Sequence, residues 1–483
     1  MSELLLLKKE DCKSCYKCIR ECALKSIRFS ENRAQIVERE CVYCGHCYVT
    51  CPQSAKEIRR DTDKAKALIA SGRPVIVSLA PSFIADFGVG GLDGMRQALL
   101  KLGFADVEET ARGAKIVKTE YERMIASGEH KLIISSCCHS VNLLIQKRYP
   151  QALPYLAKVD SPMLAHAKSI KERVPGSAVV FIGPCISKKD EAEQYGQVDC
   201  VLTFDELIDW LAEEGIELPA GEQPDGTEAR SRFFPTAGGI IRSMDLDDGF
   251  SYIPIDGLRR CMDALEEIER GGMQNCFVEM NACEGSCIGG PVMHRYHSAP
   301  ITCKTRVEQY SGKSGRDFDD QPADDLRKSM QYIGSGAVKP GEAAIQEVLH
   351  KLGKYRPEDE LNCGTCGYST CREKAIAVCQ GKADLTMCLP FLKARAESFS
   401  GAILDNTPNA IMAMDTKLII QQANESAARL FGMESPREMV GMPIDAILGT
   451  VEYLQAIDGE RPDGPIRHYL PEYDKYVEET IAF

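Results

Sequence analysis

Twenty-two of the 483 residues are cysteine, and most of them fall in tight groups. Cys12, Cys15, Cys18 and Cys22 form a C-x2-C-x2-C-x3-C run, and Cys41, Cys44, Cys47 and Cys51 repeat it ahead of Pro52. Thiolate is the soft ligand that iron–sulfur clusters use, so eight cysteines at this spacing point to two 4Fe-4S clusters. The stretch Val278 to Pro291, VEMNACEGSCIGGP, sets Cys283 and Cys287 among Gly285, Gly289 and Gly290. Glycine lets a backbone turn tightly and come close to a ligand, so this stretch reads as a holder for something bulky and inorganic. Two further thiol segments are Ser135-Ser136-Cys137-Cys138 and Gly183-Pro184-Cys185, the latter running on into Lys188. Cys363, Cys366, Cys371 and Cys388 make a last group, for which zinc competes with iron–sulfur because both use a C-x2-C start.

Such residues need rigid elements to bring them together. Three short apolar runs, Val75 to Leu79, Leu132 to Ile134 and Ala178 to Ile182, predict buried strands of a parallel sheet. They lead directly into Ala80-Pro81-Ser82, Ser136-Cys137-Cys138 and Pro184-Cys185. The candidate ligands would then lie at the carboxyl ends of strands, where open α/β sheets bind cofactors. A helical pattern over Leu207 to Glu214 supplies one of the crossovers, and the fold class expected is α/β.

Length gives a soft expectation of about three domains. A net charge of −13 and a pI near 5.3 argue against nucleic acid as a partner, since phosphate binding needs a basic face. The acidic excess reads as solvated surface, which could also attract a basic electron carrier. The opening MSELLLLKKE is too short in leucines for an export signal and no segment is apolar enough to span a bilayer, so no membrane and a cytoplasmic location are expected. Clustered cysteines in such a chain read as metal ligands and not as disulfides. Cys200, Cys261, Cys276, Cys303 and Cys379, outside the groups, read as small apolar core residues.

The segments around Cys137, Cys185 and Cys283 together resemble, in order, the three signature motifs of the iron-only (FeFe) hydrogenases. The resemblance implies a hydrogenase-type α/β core over residues 65–355 holding an H-cluster, a 4Fe-4S cluster linked to a diiron unit with CO, CN and a bridging dithiolate. Carried over, Cys138, Cys185, Cys283 and Cys287 are its ligands, Cys287 being the one that bridges to the diiron part. Cys137 matches the thiol that relays the proton, Lys188 the lysine on a cyanide, and Pro81 and Ser82 the loop holding the other cyanide. Phe234 to Gly239, FPTAGG, matches the glycine turn beside the cluster. Residues 1–60 resemble an α+β two-cluster ferredoxin, in which the fourth cysteine of each run ligates the other cluster. One cluster would take Cys12, Cys15, Cys18 and Cys51, the second Cys41, Cys44, Cys47 and Cys22. Residues 356–395 resemble a small four-cysteine 4Fe-4S domain, bringing the accessory clusters to three. Residues 396–483 resemble an α+β PAS domain: a helix with Leu392, Ala396, Phe399 and Ile403 at helical spacing, two strands about Asp415-Thr416, and a short helix opened by Asn424. That domain is expected to be incomplete at Phe483, with an output module beyond it.

This chain departs from the family at several positions. Gly183 and Asn281 stand where the family has methionine, which should leave space and polarity near the diiron unit. The tryptophan after the first motif is missing, with His139 and Val141 nearby. The serine of the usual proton path falls on Ala157, and the nearby Glu120 and Glu122 read as surface carboxylates. The expected function is a sensory hydrogenase of low turnover. It would interconvert H2 with protons and electrons, and relay redox state to the PAS end, toward a redox partner such as a ferredoxin and a signalling partner, with a homodimer compatible. The alternatives are a metabolic ferredoxin-linked hydrogenase and an electron-transfer iron–sulfur protein lacking the diiron unit.

Overall fold

The computed structural model describes residues 4–221, 228–294, 298–319, 325–448, 453, 464–471 and 473–482. Three of the four expected domain ranges therefore contain residues outside the described set: 1–3 in the first, 222–227, 295–297 and 320–324 in the core, and 449–452, 454–463, 472 and 483 in the PAS range. The chain divides into two compact units, Met1–Asp384 and Leu385–Phe483. Three of the expected sequence segments thus share one unit, apart from the last residues of the 356–395 segment.

In the N-terminal lobe, β1 (Leu5–Leu7) pairs antiparallel with a later strand, and β2 (Ile27–Ser30) forms a hairpin with β3 (Arg33–Ile36). β1's partner is β4 (Lys56–Ile58). The internal repeat is visible in the backbone: Ser14, Tyr16 and Lys25 adopt positive φ, and so do Tyr43, Gly45 and Ser54 at the matching offsets. Each left-handed residue turns the chain sharply, and the two runs turn at the same places.

The core carries two parallel sheets where the apolar runs suggested one. β5 (Val75–Leu79), β6 (Asp106–Glu109), β8 (Ala178–Gly183) and β9 (Cys200–Thr203) form the first, in the order β6-β5-β8-β9. β7 (Leu132–Ile134), β10 (Ser251–Asp256) and β11 (Cys276–Asn281) form the second, in the order β10-β11-β7. A run of three buried apolar residues says that a strand is buried, not which sheet it joins, because any parallel partner covered on both faces satisfies it. Every residue of β5, β8 and β11 is buried. The helix Phe204–Glu213 follows β9 through a capping box in which Thr203 and Glu206 satisfy each other's backbone N–H, fixing its start a few residues before the expected one.

Of the five cysteines expected in the core, Cys200, Cys261, Cys276 and Cys303 are buried, while Cys379 is exposed at the end of the helix Cys371–Cys379. The helix buries Lys374, Ala375 and Ala377 instead, so Cys379 falls off its inward face.

The second unit opens with the helix Leu389–Asn406, followed by the β12 (Met412–Met414) and β13 (Ile420–Ala423) hairpin. Asn424 caps the helix Glu425–Leu430 by accepting from the Ala427 N–H at 2.9 Å. Ile420, Ala427, Phe431, Met439 and Ile444 form its core. A further antiparallel pair, β14 (Ile466–Leu470) with β15 (Lys475–Glu479), supplies later strands. Among the described residues no helix is long and apolar enough to cross a membrane.

One buried ion pair ties the site-bearing turn to the first sheet. Arg232 donates to Glu109 Oε2 at the end of β6 at 3.0 and 2.7 Å, with both residues buried and the guanidinium 3.8 Å from the Tyr310 ring centroid. Replacing Arg232 with methionine should strand the Glu109 carboxylate in the interior and lower stability by about 3–5 kcal/mol. Denaturant unfolding of the metal-free protein measures this, and a loss below about 1 kcal/mol would show the pair to be dispensable.

Candidate metal centre

The carboxyl ends of both sheets open into one cavity of about 110 Å³. β5 delivers Pro81 and Ser82 to its wall, β8 delivers Cys185, β7 delivers Cys137 and Cys138, and β11 delivers Cys283 and Cys287. Cys138 is the N-cap of the helix His139–Arg148. Gly285 and Ser286, both at positive φ, turn the chain so that Cys283 and Cys287 border the same space. Gly290 lets that loop press on the Cys185 loop, since a Cβ there would lie 2.8 Å from the Pro184 carbonyl oxygen.

The four thiols sense one another. Burial pushes Cys138 and Cys283 up, and Cys185 adds to each; Cys287 is raised by burial and then by Cys185 and Cys138. Burial and the neighbouring sulfurs disfavour the thiolate at Cys138, Cys283 and Cys287, so these three hold their protons until a positive centre displaces them. The donors line a cavity and do not close on a point; among the described residues no group of three or more is placed for a single metal ion. That arrangement suits a polynuclear cluster with cysteine ligands. Two hydroxyls of the wall, Ser82 Oγ and Ser286 Oγ, are buried without a hydrogen-bond partner. Orphaned donors facing thiols are a fit for a group that brings its own acceptors.

Lys188 completes the wall. Burial alone would lower its pKa, but Glu191 and the nearby cysteines raise it, so the ammonium stays charged. It donates to the Cys137 carbonyl at 3.1 Å and to Glu191 Oε2 at 2.5 Å. Glu191 is fully buried, takes Lys328 and the Ser161 hydroxyl as further partners, and is held well below the usual carboxylate range by Lys188 and Lys328 despite burial. His139 joins through Asp190, at 2.7 Å. The Lys188 charge is thus anchored from below while its head borders the cavity.

The N-terminal lobe brings its thiols into two sets. Cys18, pushed by burial to about 11, senses Cys51, Cys12 and Cys15; Cys47, raised by burial, senses Cys41, Cys44 and Cys22. The Ser26 and Ala55 amides donate to Cys22 and Cys51 Sγ at 3.4 and 3.3 Å. Cys44 also lines the core cavity and is sensed by Cys283. Cys363, Cys366 and Cys371 lie in the segment docked on this lobe, where Lys25 donates to the Gly367 carbonyl at 2.9 Å and Arg20 to that of Thr365 at 3.3 Å. Cys366 and Cys22 both act on the Tyr368 hydroxyl between them. Cys388 belongs to the second unit, as the N-cap of its first helix.

Residues 73–291 match the family described as Iron only hydrogenase large subunit, C-terminal domain; residues 359–390 match a family of Fe-S cluster segments and 399–464 the PAS domain. The chain is 26% identical over 356 residues, 58% of its length, to the NADP-reducing hydrogenase subunit HndD of Solidesulfovibrio fructosivorans. It is 27% identical over 221 residues, 38% of its length, to the cytosolic Fe-S cluster assembly factor NAR1 of Yarrowia lipolytica. It spans 60% of the first of these relatives and 45% of the second. The solved FeFe-hydrogenase HydA1 from Chlamydomonas reinhardtii aligns with 61% of this chain and 95% of its own at 20% identity, with a TM-score of 0.43.

Several wall features escape the sequence. The space expected at Gly183 is filled: a Cβ there would lie 2.6 Å from the Phe181 ring, which lines the cavity from two residues away. Tyr121, fully buried, places its hydroxyl 3.3 Å from Cys137 Sγ and 3.0 Å from Ser136 Oγ. Burial pushes Cys137 up to about 12 against the opposing pull of Tyr121 and Lys188, so the thiol holds its proton. Glu120 and Glu122 are half-buried; Glu120 is tied to Arg123 and Glu122 to the Asp245 amide, and neither lines the cavity. Ala157 is buried core. The unanticipated carboxylate is Glu279, in the middle of a strand whose apolar neighbours gave no hint of it.

Burial raises Glu279 to about 7, only partly offset by the backbone N–H groups of Ile241, Ile240 and Gly238 and by Asn281, which donates to Oε1 at 3.2 Å. A carboxyl group raised in the folded state binds more protons there than in the unfolded chain, so its contribution falls as pH rises from about 4.5 through about 7. Glu279→Gln keeps the acceptor without the charge. The stability of this variant relative to the parent should grow over that window by up to about 3 kcal/mol and then level off. Denaturation of the metal-free proteins at a series of pH values tests it, and parallel pH profiles would refute it.

Proposed function

With residues 73–291 in the iron-only hydrogenase large-subunit family and a PAS segment at 399–464, we propose that this protein is a sensory FeFe-hydrogenase. It binds H2 at an H-cluster, interconverts it slowly with protons and electrons, and passes the redox state through three 4Fe-4S clusters toward the PAS segment. The observation that carries this is one cavity walled by Cys138, Cys185, Cys283 and Cys287, two further thiols at Cys137 and Cys44, an anchored ammonium and orphaned hydroxyls. The four cysteines suffice for a cluster; Cys137, Lys188 and Ser82 have no task unless a second, anion-bearing group adjoins it.

When bound, the H-cluster would supply the redox chemistry of splitting H2 heterolytically. Cys138, Cys185, Cys283 and Cys287 would hold it. Lys188 presents a fixed positive charge to a bound anion, and Ser82 a hydroxyl donor from the Pro81 loop. Cys137 holds one proton at the cavity edge, with the Tyr121 hydroxyl steadying its sulfur. Cys44, which lines the same cavity and acts on Cys283, would place an accessory cluster beside the site. Ala157, with no hydroxyl, leaves the usual proton path broken, which favours sensing over fast turnover. A metabolic, ferredoxin-linked enzyme would need a turnover that this break opposes.

The second reading is an iron–sulfur protein without a diiron unit, favoured by the likeness to the NAR1 assembly factor. Infrared spectroscopy of the matured protein, under argon and then H2, separates the two. Metal-bound CO and CN bands that shift under H2 are expected, and Cys137→Ala should keep the bands while slowing H2 turnover by about 100-fold or more. Absence of bands after competent maturation would overturn the hydrogenase reading.

A further inference from the structure

The same cavity has a second polar exit that the proposed function leaves unused. Thr110, part of the cavity wall, places Oγ1 2.8 Å from Ser78 Oγ in the middle of β5. Ser78 Oγ is in turn 2.8 Å from His166 Nδ1, and His166 Nε2 is 3.2 Å from Glu108 Oε2. Ser78 and His166 are wholly buried and Thr110 nearly so, while the Glu108 side chain keeps 11% of its surface in solvent. The chain thus runs unbroken from the cavity to the outside.

Its alignment is built into the packing. Gly113 stands where a Cβ would lie 2.1 Å from the Pro162 carbonyl oxygen and 2.7 Å from His166 Cβ, so only glycine lets the helices Ala111–Ala126 and Pro162–Arg173 approach closely enough to bring the imidazole onto Ser78. The charged groups facing the ring are Glu108 from β6 with Arg173 and Arg112, which contact that carboxylate at 2.8 and 3.9 Å. Burial would raise Glu108, but His166 and Arg173 hold it at about 2, so it is ionised and stabilises an imidazolium beside it. Apolar packing would fill this volume at lower cost than four linked polar groups, which points to use.

Resting on the proposed function, we infer that Thr110, Ser78, His166 and Glu108 form a proton relay between the cavity and solvent. A proton from water crosses the Glu108 carboxylate to His166 Nε2. The ring then releases its Nδ1 proton to Ser78 Oγ, Ser78 passes its own hydroxyl proton to Thr110, and Thr110 releases one into the cavity. One proton enters, one leaves, and no electron moves; rotation of the hydroxyls and ring restores the starting state. In H2 oxidation the sequence runs in reverse. All four groups act here as carriers, and Glu108 also stabilises the imidazolium beside it.

The test compares the matured full chain with His166→Gln, His166→Ala and Thr110→Val, reading infrared bands and H2–D2O exchange. Band positions should stay as in the parent while exchange falls by about tenfold or more, with His166→Ala partly restored by added imidazole. In the metal-free protein, the His166 ring nitrogen-15 signal, identified by its loss in His166→Gln, should shift in Thr110→Val. Exchange within about twofold of the parent with intact bands, or a His166 signal indifferent to Thr110, would overturn the relay alone. Bands missing from the parent would remove the proposed function, and the relay with it.

Discussion

Crowding of thiols around one cavity is the constraint on which the rest depends. Burial raises the pKa of Cys138, Cys283 and Cys287, and Cys185 raises each of them further. A fold tolerates this when the surrounding backbone is held by something else, and here the holders are two parallel sheets whose strands β5, β8 and β11 are wholly buried. The cost of keeping the sulfurs apart and protonated is recovered when a cationic cluster takes the protons' place. In the proposed function, metal loading and folding stability are therefore coupled through the same four side chains.

The polar groups around the cavity are arranged in tiers. Glu191 neutralises Lys188 and Lys328 from beneath and takes the Ser161 hydroxyl, so the ammonium at the wall cannot swing away. On another side Arg232 and Glu109 pin the turn that supplies Phe234 and Pro235 to the wall. Both are buried pairs in which loss of one partner leaves an uncompensated charge, which makes them geometric constraints more than sources of net stability. Cys44 borders the cavity from the N-terminal lobe, whereas the Thr110–Ser78–His166–Glu108 chain leaves through the first sheet. In the proposed function electrons and protons would take separate routes, each made of groups suited to one carrier.

Spacing made the cysteine groups, the strand ends that carry them and the cap at Asn424 legible, because ligand spacing and helix capping are local properties of the chain. Sheet membership was not legible for Leu132–Ile134, since burial on both faces looks the same in either sheet. The outward turn of Cys379 depended on which face of a nine-residue helix met its neighbours. At Gly183 the sequence showed a missing side chain but could not show that Phe181 occupies the space. Tyr121, Glu279 and His166 carry no motif; each is an ordinary residue on a helix or strand until a distant partner comes within hydrogen-bond reach.

The sequence by itself determined which residues are soft donors, how they are grouped, and the match of residues 73–291 to the iron-only hydrogenase family model, since these rest on residue type and separation along the chain. Only the tertiary structure decided what surrounds those ligands. Burial, charge pairing and hydrogen bonding depend on contacts between residues tens to hundreds of positions apart, such as Lys188 with Cys137, Arg232 with Glu109 and Ser78 with His166. Proton affinity is set by that three-dimensional environment and by little that is local, so the places where protons are held or moved came into view only with the fold.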